Sequence, residues 1–218
     1  MKIRLKVILT CLLICAADFL FAAAFCSCTT EITVTQNKDG STDVVFNGGA
    51  GDAFSKLISS ATGGYNIIDS QAVKAELEKE GFSNVQVTVK SSSDVQIKMT
   101  DKNRSTYLYS SGLLKNKEDA AKNVSKLELD FSNKNIKEFY ASADEQTCMI
   151  LDLFVAPVFN DEIMPASNYI SLLGSVYGSE AGDEIKNSTV RVNLVSANGE
   201  KTTAEYELAQ ILSGNFAN

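Results

Sequence analysis

Three turn signals, each set between stretches in which apolar and polar residues alternate, constrain this chain more than any other feature. The first is Asn37-Lys38-Asp39-Gly40, between Thr29–Gln36 with Ile32 and Val34 in phase and Ser41–Asn47 with Val44 and Phe46 in phase. The second is Ser91–Asp94, between Val85, Val87, Val89 and Val95, Ile97, Met99; the third is Asn198-Gly199, between Val190, Val192, Leu194 and Thr202–Leu208. A period of two places the apolar set on one face of a strand, and a short Gly- or Asn-containing break returns the chain antiparallel. Three β-hairpins are therefore expected, with Gly40 at a positive φ.

Between these hairpins the period lengthens. Asp52 is a plausible N-cap for Ala53–Ala61, which carries Phe54, Leu57, Ile58 and Ala61 on one side, and Asp69 or Ser70 caps Gln71–Glu80 with Val73 and Leu77 before Gly81. Gly63-Gly64-Tyr65 marks a turn between them. Tyr107–Leu114 reads equally as strand or short helix, and charged Asn116–Asn123 reads as exposed. Lys126–Phe131 alternates as a strand, and Ser132 or Asn133 caps a short helix holding Ile136 and Phe139-Tyr140. Cys148–Phe159 is the strongest apolar run after the N-terminus; being rich in branched and aromatic residues, it is expected as a central strand or buried segment. Pro165-Ala166-Ser167 opens a helix over Asn168–Tyr177 with Gly178 as stop, and another follows through Ala181 and Ile185. The sum is an α+β fold: an antiparallel sheet of about six to eight strands built from hairpins, with about four helices on one face.

Ahead of this domain stand Lys2, Arg4 and Lys6, then an apolar run from Val7 to Phe25, then Phe25-Cys26-Ser27-Cys28. Positive charge before an apolar segment is the layout of an export signal. Asp18 inside the run costs about 3 kcal/mol in a bilayer, which weighs against a permanent span. Phe25, Cys26 and Ser27 before Cys28 resemble a bacterial lipobox, in the looser form with Phe rather than Leu at the third position before the cysteine that occurs in spirochaetes. Cys26 is the rival acceptor, though bulky Phe25 precedes it directly where a small residue is expected. A secretory signal cut near Ala24 and an uncleaved anchor are the other readings of the same stretch. The lipoprotein resemblance implies removal of residues 1–27 by signal peptidase II and diacylglyceryl modification of the Cys28 thiol, often with acylation of the new amino group. It implies a single domain over 28–218, held by palmitate-type acyl chains to the cell membrane or outer membrane and facing periplasm or exterior. Two or three acyl chains anchor stably where one does not. A strand that begins within a few residues of Cys28 leaves almost no linker, so the domain is expected close against the bilayer.

On that reading the 20 basic and 27 acidic residues lose Lys2, Arg4, Lys6 and Asp18, leaving 17 and 26 and a net charge of −9. Such a surface gives no electrostatic hold on nucleic acid or anionic headgroups. Four of five cysteines also leave the redox account: Cys11, Cys15 and Cys26 with the signal and Cys28 to lipid. Cys148 then has no disulfide partner, and beside Met149-Ile150-Leu151 it reads as a buried, inert thiol.

The residue types exclude much chemistry. With no histidine in the chain, Ser-His-Asp and Cys-His arrangements and His-bearing metal sites are ruled out. Gly48-Gly49-Ala50-Gly51-Asp52 sits between strand and helix as a phosphate loop would, but its glycines fit neither nucleotide motif and Asp52 brings negative charge. Asn37–Asp43 offers oxygens at alternate positions, as a calcium loop opens, yet lacks the distant bidentate Glu and contains Lys38, so it reads as a hairpin turn. No cofactor, metal or catalytic residue is expected. Asp152, inside Met149-Ile150-Leu151-Asp152-Leu153-Phe154, either faces solvent, caps a backbone, or is buried with a raised pKa. The acid pairs Asp161-Glu162 and Asp183-Glu184 read as solvated.

These readings point to a membrane-anchored, non-enzymatic binding or interaction domain, with an apolar ligand or an envelope protein as the partners it admits. Asp39-Gly40-Ser41 in a strand-turn-strand followed by helices weakly resembles mycobacterial-type lipoproteins with a lipid-binding domain. The alternative is a carboxylate-dependent envelope hydrolase using Asp152.

Overall fold

A computed structural model describes residues 29–61, 69–91, 94–102, 109, 114–119, 124–130, 132–142 and 145–215. The readings at Phe25–Cys28 and at Gly63-Gly64-Tyr65, and nearly all of Tyr107–Leu114, lie outside these residues.

The three expected hairpins are present. β1 (Thr29–Gln36) pairs antiparallel with β2 (Thr42–Gly49), β3 (Ser83–Ser91) with β4 (Asp94–Asp101), and β7 (Thr189–Val195) with β8 (Lys201–Glu207). In the first turn Gly40 has φ 89°, as its position required. Asp39 Oδ1 accepts from the Ser41 N–H at 2.9 Å and from the Ser41 hydroxyl at 2.7 Å, and Asn37 Nδ2 donates to Ser41 Oγ and Asp43 Oδ2. The Ser41 hydroxyl and N–H hold the exposed Asp39 carboxyl below its ordinary value. The oxygens that suggested a calcium loop are thus turned on the hairpin itself.

β1 and β7 run parallel, Thr29 beside Thr189 through Thr35 beside Val195, giving one sheet in the order β3-β4-β2-β1-β7-β8. The expected all-antiparallel sheet is therefore corrected to a mixed one of six strands. Turn chemistry fixes only the pairing of consecutive strands; the free side of β1 is filled from 153 residues further along, and its direction is set by the crossover through the helices. A separate two-stranded ribbon pairs β5 (Leu114–Asp119) with β6 (Val124–Leu129). The first part of the charged stretch Asn116–Asn123, as far as Asp119, belongs to β5.

Seven α-helices stand among the described residues, against the expected four: α1 (Asp52–Ala61), α2 (Ser70–Lys79), α3 (Asn133–Ser142), α4 (Glu145–Asp152), α5 (Ala166–Tyr177), α6 (Ser179–Lys186) and α7 (Leu208–Leu212). Asp69 caps α2, accepting from Gln71 and Ala72 N–H, and Gly81 follows its end at φ 99°. Cys148–Phe159 is not a strand. It is the end of α4, a turn, and a 3-10 helix at Pro157–Asn160, with Ile150, Leu151, Phe154, Val158 and Phe159 buried. Branched and aromatic residues signalled burial correctly, while the three- and four-residue spacing of the buried positions carries the helix.

β1, β2, β4 and β7 each bury one alternate set. Val34, Val44, Phe46, Val95, Ile97 and Met99 pack with Val73 and Leu77 of α2; Val190 and Val192 pack with the other helices, and Ile32 and Leu194 touch both clusters. The opposite face is polar and laced across strands: Gln96 Nε2 donates to Asn47 Oδ1, Thr100 Oγ1 to Asp43 Oδ1, Asn193 Nδ2 to Glu31 Oε1, and Thr203 Oγ1 to Asn193 Oδ1. The domain is thus two layers, with the helices packed against one side of the sheet.

Candidate functional site

β1 starts at Thr29, immediately after Cys28, and the Thr30 side chain is already fully buried. Its hydroxyl lies so near the β2 backbone that a Cβ on Gly48 would come within 2.9 Å of it. This end of the sheet is central rather than peripheral, since β2 and β7 flank β1 on both sides. Asp52 at the head of α1, Asp94 opposite Gly49, and Glu207 opposite Thr189 stand at this end of the sheet. Cys28 and Cys26 themselves are outside the described residues.

The glycine-rich turn at this end has an occupant from its own chain. Ala53 N–H at the start of α1 donates to Glu184 Oε2 at 2.8 Å, and an added Cβ on Gly51 would lie 2.4 Å from the Glu184 carboxyl carbon. A side-chain carboxylate from α6 thus sits where a phosphate loop would hold its anion, satisfying one of the donors a helix start leaves open. Its Oε1 is buried without a partner. Burial pushes the Glu184 carboxyl above its ordinary value, and the N–H groups around it oppose that shift. Glu184 is therefore a half-buried tertiary cap rather than the solvated acid expected, whereas Asp183 is exposed and Asp161 pairs with Lys137 at 2.7 Å.

Asp152 is the last residue of α4 and is exposed, so the buried reading fails and the solvent-facing one holds. Its Oδ1 accepts the Tyr140 hydroxyl at 2.6 Å, and the Tyr140 ring stacks on Phe159 at 4.6 Å. The hydrogen bond to Asp152, then partial burial, pushes the Tyr140 phenol up to about 12. Cys148 is half-buried, not fully buried as expected, and its thiol donates to the Tyr140 carbonyl oxygen at 3.7 Å. Asp152→Asn should bring the Tyr140 phenol back down toward 10, read by the chemical shift of its ring carbon in a pH titration; an unchanged titration would show that the Asp152 bond does not cause the shift.

A second polar group escaped the sequence reading. Gln36, Thr42, Asp101 and Ser196 are all buried, in phase with the apolar positions of β1, β2, β4 and just past the end of β7. Thr42 Oγ1 and the Tyr109 hydroxyl are 2.7 Å apart, while Gln36 Oε1 has no partner. The available signal was positional: a polar residue continuing the inward phase of Val34, Val44 and Met99 is placed toward the core.

Among the described residues, no three His, Cys, Asp or Glu side chains converge as metal ligands, and no helix is long and apolar enough to cross a membrane. No family model, curated protein or solved structure matches the chain.

Proposed function

We propose that this chain is an envelope lipoprotein, anchored through acyl chains on Cys28 and working through a non-enzymatic binding or interaction surface. The observation that carries the reading is the start of β1 at Thr29. Consecutive Cα atoms are 3.80 Å apart, so an acyl chain on Cys28 hangs one peptide unit from the middle strand of a rigid sheet. A signal cut at this point frees a chain that is structured from its second residue. The acyl chains, not surface charge, supply the hold, because the chain carries a net negative charge.

The side of the sheet away from the helices is the working surface on this reading. It offers polar, cross-linked side chains over six strands, and rigid presentation of such groups lowers the entropy cost of binding. An enclosed apolar ligand has less support: the inward strand positions, Val34, Phe46 and Ile97 among them, are used in packing against helices.

Metabolic labelling with a palmitate analogue tests the anchor. The wild type should take label and fractionate with membranes, and Cys28→Ala should lose both. Label that survives Cys28→Ala and disappears in Cys26→Ala would move the anchor two residues upstream, and an unlabelled wild type would overturn the lipoprotein reading.

A further inference from the structure

We infer that the outer edge of β8 pairs antiparallel with β8 of a second copy, centred on Ala204, so that one sheet continues through two molecules. Among the described residues β8 is an outermost strand of the sheet; it follows β7 over seven residues with no shift in register and contains no proline. Lys201, Thr202, Thr203, Glu205 and Glu207 are all exposed along it. The other outermost strand is built differently. β3 has two irregularities in its register with β4, and Asn84 stands at φ 56°. Bulges of that kind blunt an edge against strand addition, and β8 has none.

The hydrogen-bond phase of β8 fits a partner. Ser196 N–H donates to Glu200 O at 2.9 Å and Leu208 N–H to Ser188 O at 3.0 Å, which places the bonded pairs of this ladder at even-numbered residues. Alternation along an antiparallel ladder then gives Thr202, Ala204 and Tyr206 to β7 and turns the N–H and C=O of Lys201, Thr203, Glu205 and Glu207 outward. An incoming strand meets four residues in bonding phase.

Charge and strand length together select the register and the occupant. A two-fold axis at Ala204 sets Lys201 opposite Glu207 of the second copy at both ends, Thr203 opposite Glu205, and the small Ala204 side chains against each other. Centring on Glu205 would set like charges face to face; centring on Thr203 would also set Lys201 opposite a glutamate, Glu205, but would leave Glu207 opposite Gly199, beyond the strand. Only the Ala204 register uses the whole strand and matches both lysines with glutamates, so a second copy of this edge is its own complement. The axis is normal to the sheet, so the β1 starts of the two copies point in opposite directions. Copies anchored as proposed above can pair in this way when the sheet lies flat over the bilayer.

Light scattering on the full chain in mild detergent reads the association. The wild type should be dimeric, and Lys201→Glu and Glu207→Lys should each raise the dissociation constant about tenfold by setting like charges opposite at both ends. The double variant K201E/E207K should return to within about twofold of the wild type, since the pairs are restored with their signs exchanged. Ala204→Cys should form a disulfide-linked dimer on mild oxidation, because facing residues in a non-bonded pair lie about 4.5 Å apart. Far-UV circular dichroism confirms that each variant is folded. A monomeric wild type, a double variant no better than the singles, or cross-linking by Thr202→Cys in preference to Ala204→Cys would each overturn the pairing.

Discussion

Gly51→Ala should destabilise the domain by about 1–3 kcal/mol, the usual cost of forcing an extra carbon into a filled space. The added Cβ would stand 2.4 Å from the Glu184 carboxyl carbon and 2.5 and 2.7 Å from its two oxygens. The end of the Glu184 side chain must move aside, and a shift that breaks the Ala53 N–H bond it accepts at 2.8 Å reopens the start of α1. Urea titration followed by circular dichroism measures the loss. Removing the obstacle should return part of it: in the Gly51→Ala, Glu184→Ala pair the two costs should fall short of their sum, because both changes act on one contact. Simple additivity would mean that the carboxylate is not seated there.

The same contact gives the domain a pH dependence of definite sign. Burial raises the folded-state value of Glu184 above its ordinary one, so between those two values the folded chain binds more proton than the unfolded chain. The contribution of Glu184 is therefore fully present below the ordinary carboxylate value and is lost as pH rises through the raised one. Glu184→Gln, neutral throughout, should lack that slope. The stability difference between wild type and Glu184→Gln should shift against the wild type as pH rises through this window, and a difference constant with pH would remove Glu184 as the source.

Glu184 also shows where sequence reasoning stops. The glycine run at Gly48–Asp52 was legible as a turn opening a helix, and the wrong spacing for a nucleotide loop was legible too. What fills the turn comes from 131 residues away in the chain, and no local pattern announces a contact at that distance. The parallel pairing of β1 with β7 escaped for the same reason, whereas all three hairpins, the Asp69 cap and the Gly40 turn were legible because their causes lie within a few residues. The buried row of Gln36, Thr42 and Asp101 lies between these cases. Its phase was in the sequence, but a polar residue at an inward position reads as a strand ending until the neighbouring strands are aligned beside it.

Phe154→Ala should cost about 3–5 kcal/mol, the range for removing a buried aromatic side chain, while Val155→Ala should stay within about 1 kcal/mol of the wild type. The contrast tests the local period. A strand through Cys148–Phe159 would put Leu151, Leu153 and Val155 on one face and Phe154 on the other. The structure instead buries Leu151, Phe154 and Val158 and leaves Val155 41% exposed. Phe154 stacks on Phe54 of α1 at 4.7 Å, and its backbone carbonyl accepts the buried Tyr169 hydroxyl of α5 at 2.8 Å. Truncating the ring therefore opens a cavity between α1 and the turn after α4, where neighbours held in separate helices can close in only partly. Val155, by contrast, is held at φ 46°, a left-handed conformation that alanine also resists, so its truncation relieves little strain and removes little packing. Urea midpoints for the two variants measure the difference, and equal losses at both positions would favour the strand over the helix and turn.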